Sequence, residues 1–228
     1  MRIEPVGESG CMLYLGEQIE PAVCARVCCA AELIRRRLAP YITDLVPSYA
    51  SIFISLDLSR GGVMAFCALL RDALHDLDSV ASESLVSGDV MSVGVYYGPE
   101  VAPDMDEVMQ LAGLSSEEVI ALHCGQEYLV YAIGFSPGFC FMGNTDARLK
   151  VPRKASPRTR VPAGSVALAD RQTAVYPCVS PGGWQIIGRT AVDMLALCQR
   201  SESPLQVGSR LRFEPVSLEC FVQAGGRV

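Results

Sequence analysis

The sequence predicts a smaller N-terminal α+β domain followed by a larger, mainly-β domain. Three observations support this prediction. The 228 residues exceed the usual size of a single domain, roughly 100 to 150 residues. Strand and helix periodicities alternate in the first third of the chain, whereas short apolar runs separated by Pro- and Gly-rich turns follow Glu127. A content of 50% hydrophobic and 19% charged residues excludes disorder over most of the chain.

The first part of the chain alternates strand and helix. An apolar stretch from Cys11 to Leu15 precedes Pro21, a residue type that often begins a helix, and apolar residues then recur at helical spacing until Pro40. Ser51 to Leu58 alternates with a period of two, as a half-buried strand does, and a second helical pattern covers Val63 to Leu77. This β-α-β-α order predicts a small sandwich of the ferredoxin-like type.

A polar, breaker-rich segment from Ser79 to Asp89 separates the two domains, which we predict as residues 1–85 and 86–228. The second domain is expected to begin with a strand, Val90 to Tyr97. Two short helices follow, and the second begins with the capping box Ser115-Ser116-Glu117-Glu118. The later apolar runs predict strands of a β-barrel or sandwich. They are Tyr128 to Ile133, Ser165 to Ala169, Thr173 to Tyr176, Gln185 to Ile187, Arg210 to Phe213 and Glu219 to Val222.

Charge and hydropathy argue against several classes of protein. A net charge of −6 makes nucleic-acid binding unexpected. The chain has no run of about 18 apolar residues, and Met1-Arg2-Ile3-Glu4-Pro5 does not resemble a secretory signal, so we expect a cytoplasmic protein that does not span a membrane. The ten cysteines then predict buried thiols. No metal site is expected, because Cys24, Cys28 and Cys29 have no histidine nearby in the sequence.

Two proline-containing turns carry aromatic residues. Gly134-Phe135-Ser136-Pro137-Gly138, the first turn, matches the G-x-S-x-G pattern of serine hydrolases. That chemistry requires a backbone N–H after the serine, and Pro137 has none, so we interpret the segment as a rigid turn. The second turn, Ser180-Pro181-Gly182-Gly183-Trp184, ends in the chain's only tryptophan.

A basic segment without acids lies between Asp146 and Asp170. Its neighbouring prolines stiffen the backbone, so that its guanidinium groups can be presented to a carboxylate or phosphate at a modest entropic cost. Together with the two aromatic turns it predicts a concave site with an anion-binding wall, the alternative being a solvated loop. The six basic residues are Arg148, Lys150, Arg153, Lys154, Arg158 and Arg160.

The chain has two histidines. His75 lies on the polar side of the second predicted helix and is expected in solvent. His123 ends the helix that begins with the capping box, shortly before the strand that leads to the first turn. It is therefore either a C-terminal cap of that helix or a proton-transfer group facing the site.

Three runs, GFSPGFCFMG, VPRKASPRTRVPAGSVALADRQTAVYP and SPGGWQIIGRT, resemble the signature of one family. It includes allophanate hydrolase subunit 1, the B subunit of 5-oxoprolinase (PxpB) and the kinase inhibitor KipI, and is similar to one half of the urea carboxylase carboxyltransferase region, subdomains C and D. The resemblance implies a ferredoxin-like domain followed by a cyclophilin-like β-barrel. Ala169-Asp170 departs from the usual Ala-Gly and puts a side chain where glycine allows a tight turn.

The family resemblance implies the B subunit of an ATP-dependent 5-oxoprolinase, which opens 5-oxoproline to glutamate only together with partner subunits. The implied partners are an allophanate hydrolase subunit 2-type protein (PxpC/KipA-like) and a LamB-like protein (PxpA), with ATP bound in the complex. Two alternatives stay open. One is a KipI-like protein that inhibits a sensor histidine kinase, and the other is half of an allophanate hydrolase or urea carboxylase-type carboxyltransferase.

We expect the predicted site to use His123 as an acid or base and Arg153 and Arg158 to stabilise anionic phosphorylated species. An exposed apolar patch around Phe139, Phe141 and Trp184 should form the partner face. The expected substrate-binding residues are Phe135, Pro137, Gly138, Phe139, Gly164, Ser165, Gln172, Tyr176, Gly182, Gly183, Trp184 and Arg189.

Overall fold

The computed structural model describes residues 1–79, 89–200 and 203–228. The chain divides into two compact units, Met1–Ser87 and Gly88–Val228, each with its own hydrophobic core. The domain boundary predicted between residues 85 and 86 lies outside the described residues. Within the described ranges, no helix is both long and apolar enough to cross a membrane.

The described part of the N-terminal unit contains a four-stranded antiparallel sheet and two long helices. Its elements are β1 (Arg2–Val6), β2 (Gly10–Tyr14), α1 (Pro21–Leu38), β3 (Ile42–Ser48), β4 (Ser51–Leu56) and α2 (Val63–Ala73). The strand order is β1-β2-β4-β3. The edge beside β2 is formed by the preceding strand β1, whereas a ferredoxin-like fold places there a strand that follows the second helix. The ferredoxin-like type is therefore not confirmed.

Proline positions and apolar spacing explain α1. Pro21 occupies its first turn, where no N–H is needed, and the helix ends at Leu38, two residues before Pro40. This confirms the helix predicted between the two prolines. Its apolar side, including Ile34, packs with alternate residues of β4 such as Ile52 in one core. The second helix ends at Ala73, four residues earlier than its apolar spacing suggests.

The C-terminal unit is built around a closed barrel of seven strands. Its elements are β5 (Val90–Tyr96), α3 (Met105–Ala112), α4 (Ser116–Cys124), β6 (Glu127–Ile133), β7 (Cys140–Gly143), β8 (Arg158–Val161), β9 (Ser165–Ala169), β10 (Gln172–Val175), β11 (Ser180–Gly182), β12 (Gln185–Thr190), α5 (Met194–Cys198), β13 (Arg210–Pro215) and α6 (Leu218–Gln223). The barrel order is β6-β13-β5-β12-β9-β10-β7, closed by pairing of β7 with β6. Among the strand pairs of this barrel, only β13 and β5 are parallel, so the barrel is mixed. The β-barrel that the sequence predicted is confirmed.

Strand β9 is buried on both faces. Val166 and Leu168 belong to the main core of the unit, which fills the barrel. The alternating residues Ala167 and Ala169 instead join a smaller core on the outer face, which also contains Trp184. This outer core is covered by a separate two-stranded sheet of β8 and β11. Small alanines at these outer positions leave room for the large aromatic rings that pack there.

Three local predictions can be compared with the structure. The capping box is confirmed, because Ser115 and Glu118 each bind the other's backbone N–H. The strand predicted from Glu219 to Val222 is wrong, since this segment lies in helix α6, capped by the Ser217 hydroxyl. Asp170 keeps the tight turn between β9 and β10 by adopting a φ of 52°, which aspartate tolerates better than most residues.

Candidate functional site

The structure brings the two proline-containing turns and the basic segment together on the outer face of the barrel. Phe139, at the end of the first turn, contacts Trp184 of the second turn edge-to-face, with ring centroids 5.8 Å apart. The guanidinium carbon of Arg153 lies 5.8 Å from the centroid of the Trp184 ring. Strand pairing joins Arg158 to Gly182, which ties the basic segment directly to the second turn. Segments about 45 residues apart in sequence therefore share one surface.

We call Phe135, Phe139, Phe141, Tyr176 and Trp184 the aromatic cluster. Phe139 is its centre, with ring centroids 5.3 Å from Phe135, 4.8 Å from Phe141 and 5.1 Å from Tyr176. Phe139 and Trp184 are 2% and 5% exposed, so the exposed apolar patch predicted around them is wrong. Their rings face one another instead of solvent. The exposed member is Phe135, at 64%.

Backbone geometry of the first turn explains why Phe135 projects outward. Phe135 itself has a φ of 67°, a conformation that costs about 1 to 3 kcal/mol for a residue other than glycine and is held here by the surrounding turn. Gly138 has a φ of 83°, and a Cβ at this position would lie 2.9 Å from the Met194 carbonyl oxygen. Pro137 is exposed between them. The turn therefore needs glycine at position 138 to pack against the start of α5.

Arg158 is engaged by an acid that lies far away in the sequence. Both terminal nitrogens of Arg158 donate to Asp104 at 2.7 Å. Lys154 Nζ donates to the same carboxylate at 2.8 Å, and the backbone N–H of Ile186 donates to it at 2.7 Å. Because both terminal nitrogens already bind the Asp104 carboxylate, Arg158 cannot use them to bind a second anion in a bidentate manner.

The group of Asp104, Glu107, Lys154, Arg158 and Gln185 forms a network that we call the anchor network. Asp104 is 2% exposed, and burial alone would raise its pKa, but the hydrogen bonds from Arg158 and Lys154 outweigh burial and lower the pKa. The hydrogen bonds that Lys154 makes to Asp104 and Glu107 raise the pKa of Lys154. Both groups are consequently charged at neutral pH, and the basic segment is partly neutralised where it meets the barrel.

Arg153 differs from Arg158 because its side chain is exposed and lies over an aromatic face. In the described ranges, no ion pair involves Arg153. The charges of both arginines act on Tyr176: burial raises the pKa of its hydroxyl, while a hydrogen bond with the Trp184 backbone and these two charges oppose the rise. Arg153 is thus an exposed cation that lies against the aromatic cluster.

A second group of predicted residues lies beside the cluster on β9 and β12. Ser165 and Arg189 face each other across the paired strands. The Ser165 hydroxyl and Arg189 Nε are buried and have no hydrogen-bond partner among the described residues. Gly164 links them to the cluster, because its N–H donates to the Tyr176 carbonyl at 2.7 Å. Another nitrogen of Arg189, Nη1, donates to the Arg227 carbonyl at 2.7 Å.

Glycine is also needed where the second turn passes the aromatic cluster. A Cβ on Gly182 would collide with the Tyr176 ring, so only glycine allows this close approach. Gly183 lies against Pro157 of the basic segment and accepts a hydrogen bond from the Lys154 N–H at 2.7 Å. Both glycines therefore allow the second turn to pack closely, Gly182 against Tyr176 and Gly183 against the basic segment.

His123 lies elsewhere, in the interior. It is 0% exposed, and its two ring nitrogens lie 2.7 Å from the Tyr97 hydroxyl and 2.9 Å from the Thr173 hydroxyl. Its ring stacks on Phe213 at 4.5 Å. Burial lowers its pKa to about 3, so it is neutral at physiological pH. Its side chain neither caps α4 nor faces the aromatic cluster, unlike both sequence-based interpretations.

Gln172 is also separate from the cluster. It begins β10, pairing with Ala169 and Gly143, whereas Tyr176 follows the other end of that strand. Sequence reasoning missed Asp104 and Glu107 altogether. Asp104 precedes α3, where acids are common for reasons of helix capping, and 50 residues separate it from Lys154. No local pattern indicates such a contact.

Comparison with known proteins assigns the family. The model of the carboxyltransferase domain, subdomain C and D, matches residues 1–205. A Bacillus subtilis (strain 168) protein, named as the B subunit of 5-oxoprolinase, is 38% identical over 226 residues, covering 95% of this chain and 93% of the relative. The solved structure of the protein TTHA0988 is 33% identical with a TM-score of 0.78, covering 92% of this chain. This chain spans only 40% of that longer protein.

A more distant solved structure shares the fold. Urea carboxylase from Kluyveromyces lactis matches with a TM-score of 0.69 and 18% identity, over 97% of this chain and 22% of the larger enzyme. The barrel observed here agrees with a cyclophilin-like barrel. From the extent of the family match and the identity to the B. subtilis protein, we conclude that the chain belongs to the carboxyltransferase domain family, subdomains C and D.

Proposed function

We propose that this chain is the B subunit of a 5-oxoprolinase, which opens the amide ring of 5-oxoproline to glutamate with the use of ATP. The observation that carries the proposal is the 38% identity to the B. subtilis protein of that name, over nearly the full length of both chains. Identity of this extent supports a shared activity more strongly than a shared fold does, because one fold can serve many functions.

The proposed enzyme needs partner subunits. The B. subtilis relative is itself named as one subunit of an enzyme, which supports this need, as does TTHA0988, in which the matching region is 40% of a longer chain. The proposed partners are an allophanate hydrolase subunit 2-type protein and a LamB-like protein, in the cytoplasm. ATP is proposed to bind in the assembled complex, since the chain contains no P-loop sequence.

Arg153 and Phe135, the exposed member of the aromatic cluster, form the proposed substrate surface. 5-Oxoproline carries one carboxylate, and Arg153 offers an exposed guanidinium beside Trp184. Phe135 supplies an exposed apolar wall for the ring of the substrate. Arg158 contributes charge near Tyr176 but is held by Asp104, and His123 takes no proton-transfer role because it is buried with both nitrogens engaged.

The direct test is reconstitution. The purified chain is mixed with its two proposed partners, and glutamate formation from 5-oxoproline and ATP is measured. We expect turnover with all subunits present and none with this chain alone, because the partners complete the site. Turnover by the isolated chain would contradict the shared site, and an inactive but stably assembled complex would contradict the 5-oxoprolinase assignment.

The second candidate function is half of a carboxyltransferase. The family description, carboxyltransferase domain, favours it. The same complex can be assayed for carboxylation of urea. Carboxylation without 5-oxoproline turnover would favour this candidate. The kinase-inhibitor alternative predicts that the chain alone blocks autophosphorylation of a sensor kinase.

A further inference from the structure

The carboxylate of Asp104 has an unusual place in the barrel unit. Asp104 stands at the N-cap of α3, where an aspartate side chain normally accepts a backbone N–H of the helix, yet it makes no such bond. Its carboxylate instead accepts hydrogen bonds from Arg158, Lys154 and the Ile186 N–H. A charge that is 2% exposed is costly unless fully paired. Helix capping does not account for this residue.

The anchor network holds the backbone on both sides of Arg153. On one side, the Pro152 carbonyl accepts a hydrogen bond from Gln185 Nε2 at 3.3 Å. On the other side, the Lys154 N–H donates to the Gly183 carbonyl at 2.7 Å, while Lys154 Nζ binds Asp104. Arg153 is therefore an exposed side chain on a fixed stretch of backbone. A cation presented in this way loses less freedom when it binds an anion.

The same network holds the backbone on both sides of Trp184. Gly183 before it is bound by Lys154, and Gln185 after it donates to Glu107 at 3.0 Å. Ile186, the next residue, binds Asp104 through its N–H and accepts a hydrogen bond at its carbonyl from the Asp104 N–H. Lys154 next to Arg153 and Ile186 near Trp184 thus both bind the carboxylate of Asp104.

We infer that Asp104 is the positioning residue of the aromatic site, setting the place of Arg153 relative to Trp184 through Lys154, Arg158 and Ile186. It touches no ligand itself. This inference deepens the proposed function and rests on it only for the identity of the ligand. Loss of the carboxylate charge weakens its bonds to Lys154 and Arg158, so that Arg153 shifts from its place over the indole ring while the pairing of β8 with β11 remains.

The test uses the chain's single tryptophan as its reporter. In Asp104→Asn, we expect the Trp184 emission maximum to shift to longer wavelength and acrylamide to quench it more strongly than in wild type. Asp57→Asn, which changes an aspartate cap in the N-terminal unit, is the matched control and should leave emission unchanged. Glu107→Gln, which removes one outer member of the network, should give a smaller shift. Asp104→Glu should partly restore the wild-type spectrum.

In the reconstituted complex, Asp104→Asn should raise KM for 5-oxoproline about tenfold, because a displaced Arg153 loses its charged hydrogen bond to the substrate carboxylate. A folded Asp104→Asn with wild-type emission and quenching overturns the inference. If that variant does not fold, Lys154→Gln keeps the Asp104–Arg158 pair and must still alter Trp184 emission; an unchanged spectrum there also overturns it. The spectra need no ligand, so an inactive wild-type complex would refute the 5-oxoprolinase proposal alone.

Discussion

The barrel interior and its outer face both bury polar groups, but the interior group is neutral and the outer group is charged. Inside, His123 is neutral and bound by two hydroxyl groups. Outside, Asp104 is ionised and bound by two cationic side chains. Neutral groups need only hydrogen bonds to be buried, whereas a charge needs a counter-charge as well. The interior therefore serves packing, and the outer face concentrates fixed charge beside an exposed arginine.

Removing a cation from the outer network should have the largest effect. Arg158→Ala leaves the buried Asp104 carboxylate with Lys154 as its only cationic partner among the described residues. We expect the free energy of unfolding to fall by about 3 kcal/mol, because the buried carboxylate loses two charge-assisted hydrogen bonds and Lys154 then compensates it only in part. Urea titration followed by circular dichroism measures this. Arg160→Ala, an exposed arginine of the same strand, is the control and should change little. Equal losses in both variants would mean that Arg158 is an ordinary surface residue.

The sequence predicted the elements whose signals are local. Pro21 and Pro40 bracket α1, and the alternation of Ser51 to Leu56 gives β4. The short strands β8 and β11 were missed, because β8 has only four residues and β11 only three, Ser-Pro-Gly, and such short segments carry no clear periodicity. This pair of strands is nevertheless what joins the basic segment to Trp184.

The candidate site was predictable only in part, for a related reason. Its aromatic and basic residues stand out by type, but their partners do not. Asp104 meets Lys154 across 50 residues and Arg158 across 54, and His123 meets Thr173 across 50. These contacts form when the barrel closes, and no local sequence pattern predicts them. The basic segment contains no acid of its own, yet its positive charge is partly neutralised by Asp104 from a distant part of the chain.

A pH titration should distinguish the interior from the outer face. The folded state lowers the pKa of His123 from 6.5 to about 3, so the unfolded chain binds this proton more readily. Stability is therefore full above pH 6.5 and falls as the pH decreases toward 3, by about 1.4 kcal/mol per unit, or about 2 kcal/mol at pH 5. The lowered pKa of Asp104 acts only below its ordinary value of 3.8.

The measurement is urea unfolding of wild type and His123→Gln between pH 7 and pH 5. Glutamine does not titrate, so this variant should lose much of the pH dependence even if it is less stable at pH 7. His75→Gln, which changes an exposed histidine, is the control. Parallel pH profiles for wild type and His123→Gln would show that the interior histidine is not held neutral.

A smaller effect is expected from the backbone of the first turn. Gly138→Ala forces a side chain into a φ of 83° and places Cβ near the Met194 carbonyl, so we expect a loss of about 1 to 2 kcal/mol. Gly134→Ala is the matched control in the same turn, because a Cβ there meets nothing within 4 Å. Thermal unfolding compares the two variants. If both lose the same stability, the packing of Gly138 against α5 is not what fixes the turn.

The smallest effect on stability, and a specific effect on binding, is expected for Arg153. Its side chain is exposed and its described contact is with the Trp184 ring, so Arg153→Ala should unfold almost as wild type does. In the reconstituted complex, KM for 5-oxoproline should rise about tenfold, because a charged hydrogen bond to the substrate carboxylate is lost. Arg153→Lys keeps the charge without the planar fork and should lie between the two. Arg158 and Arg153 would then divide the roles of the basic segment between stability and binding, whereas unchanged kinetics in Arg153→Ala would place the substrate anion elsewhere.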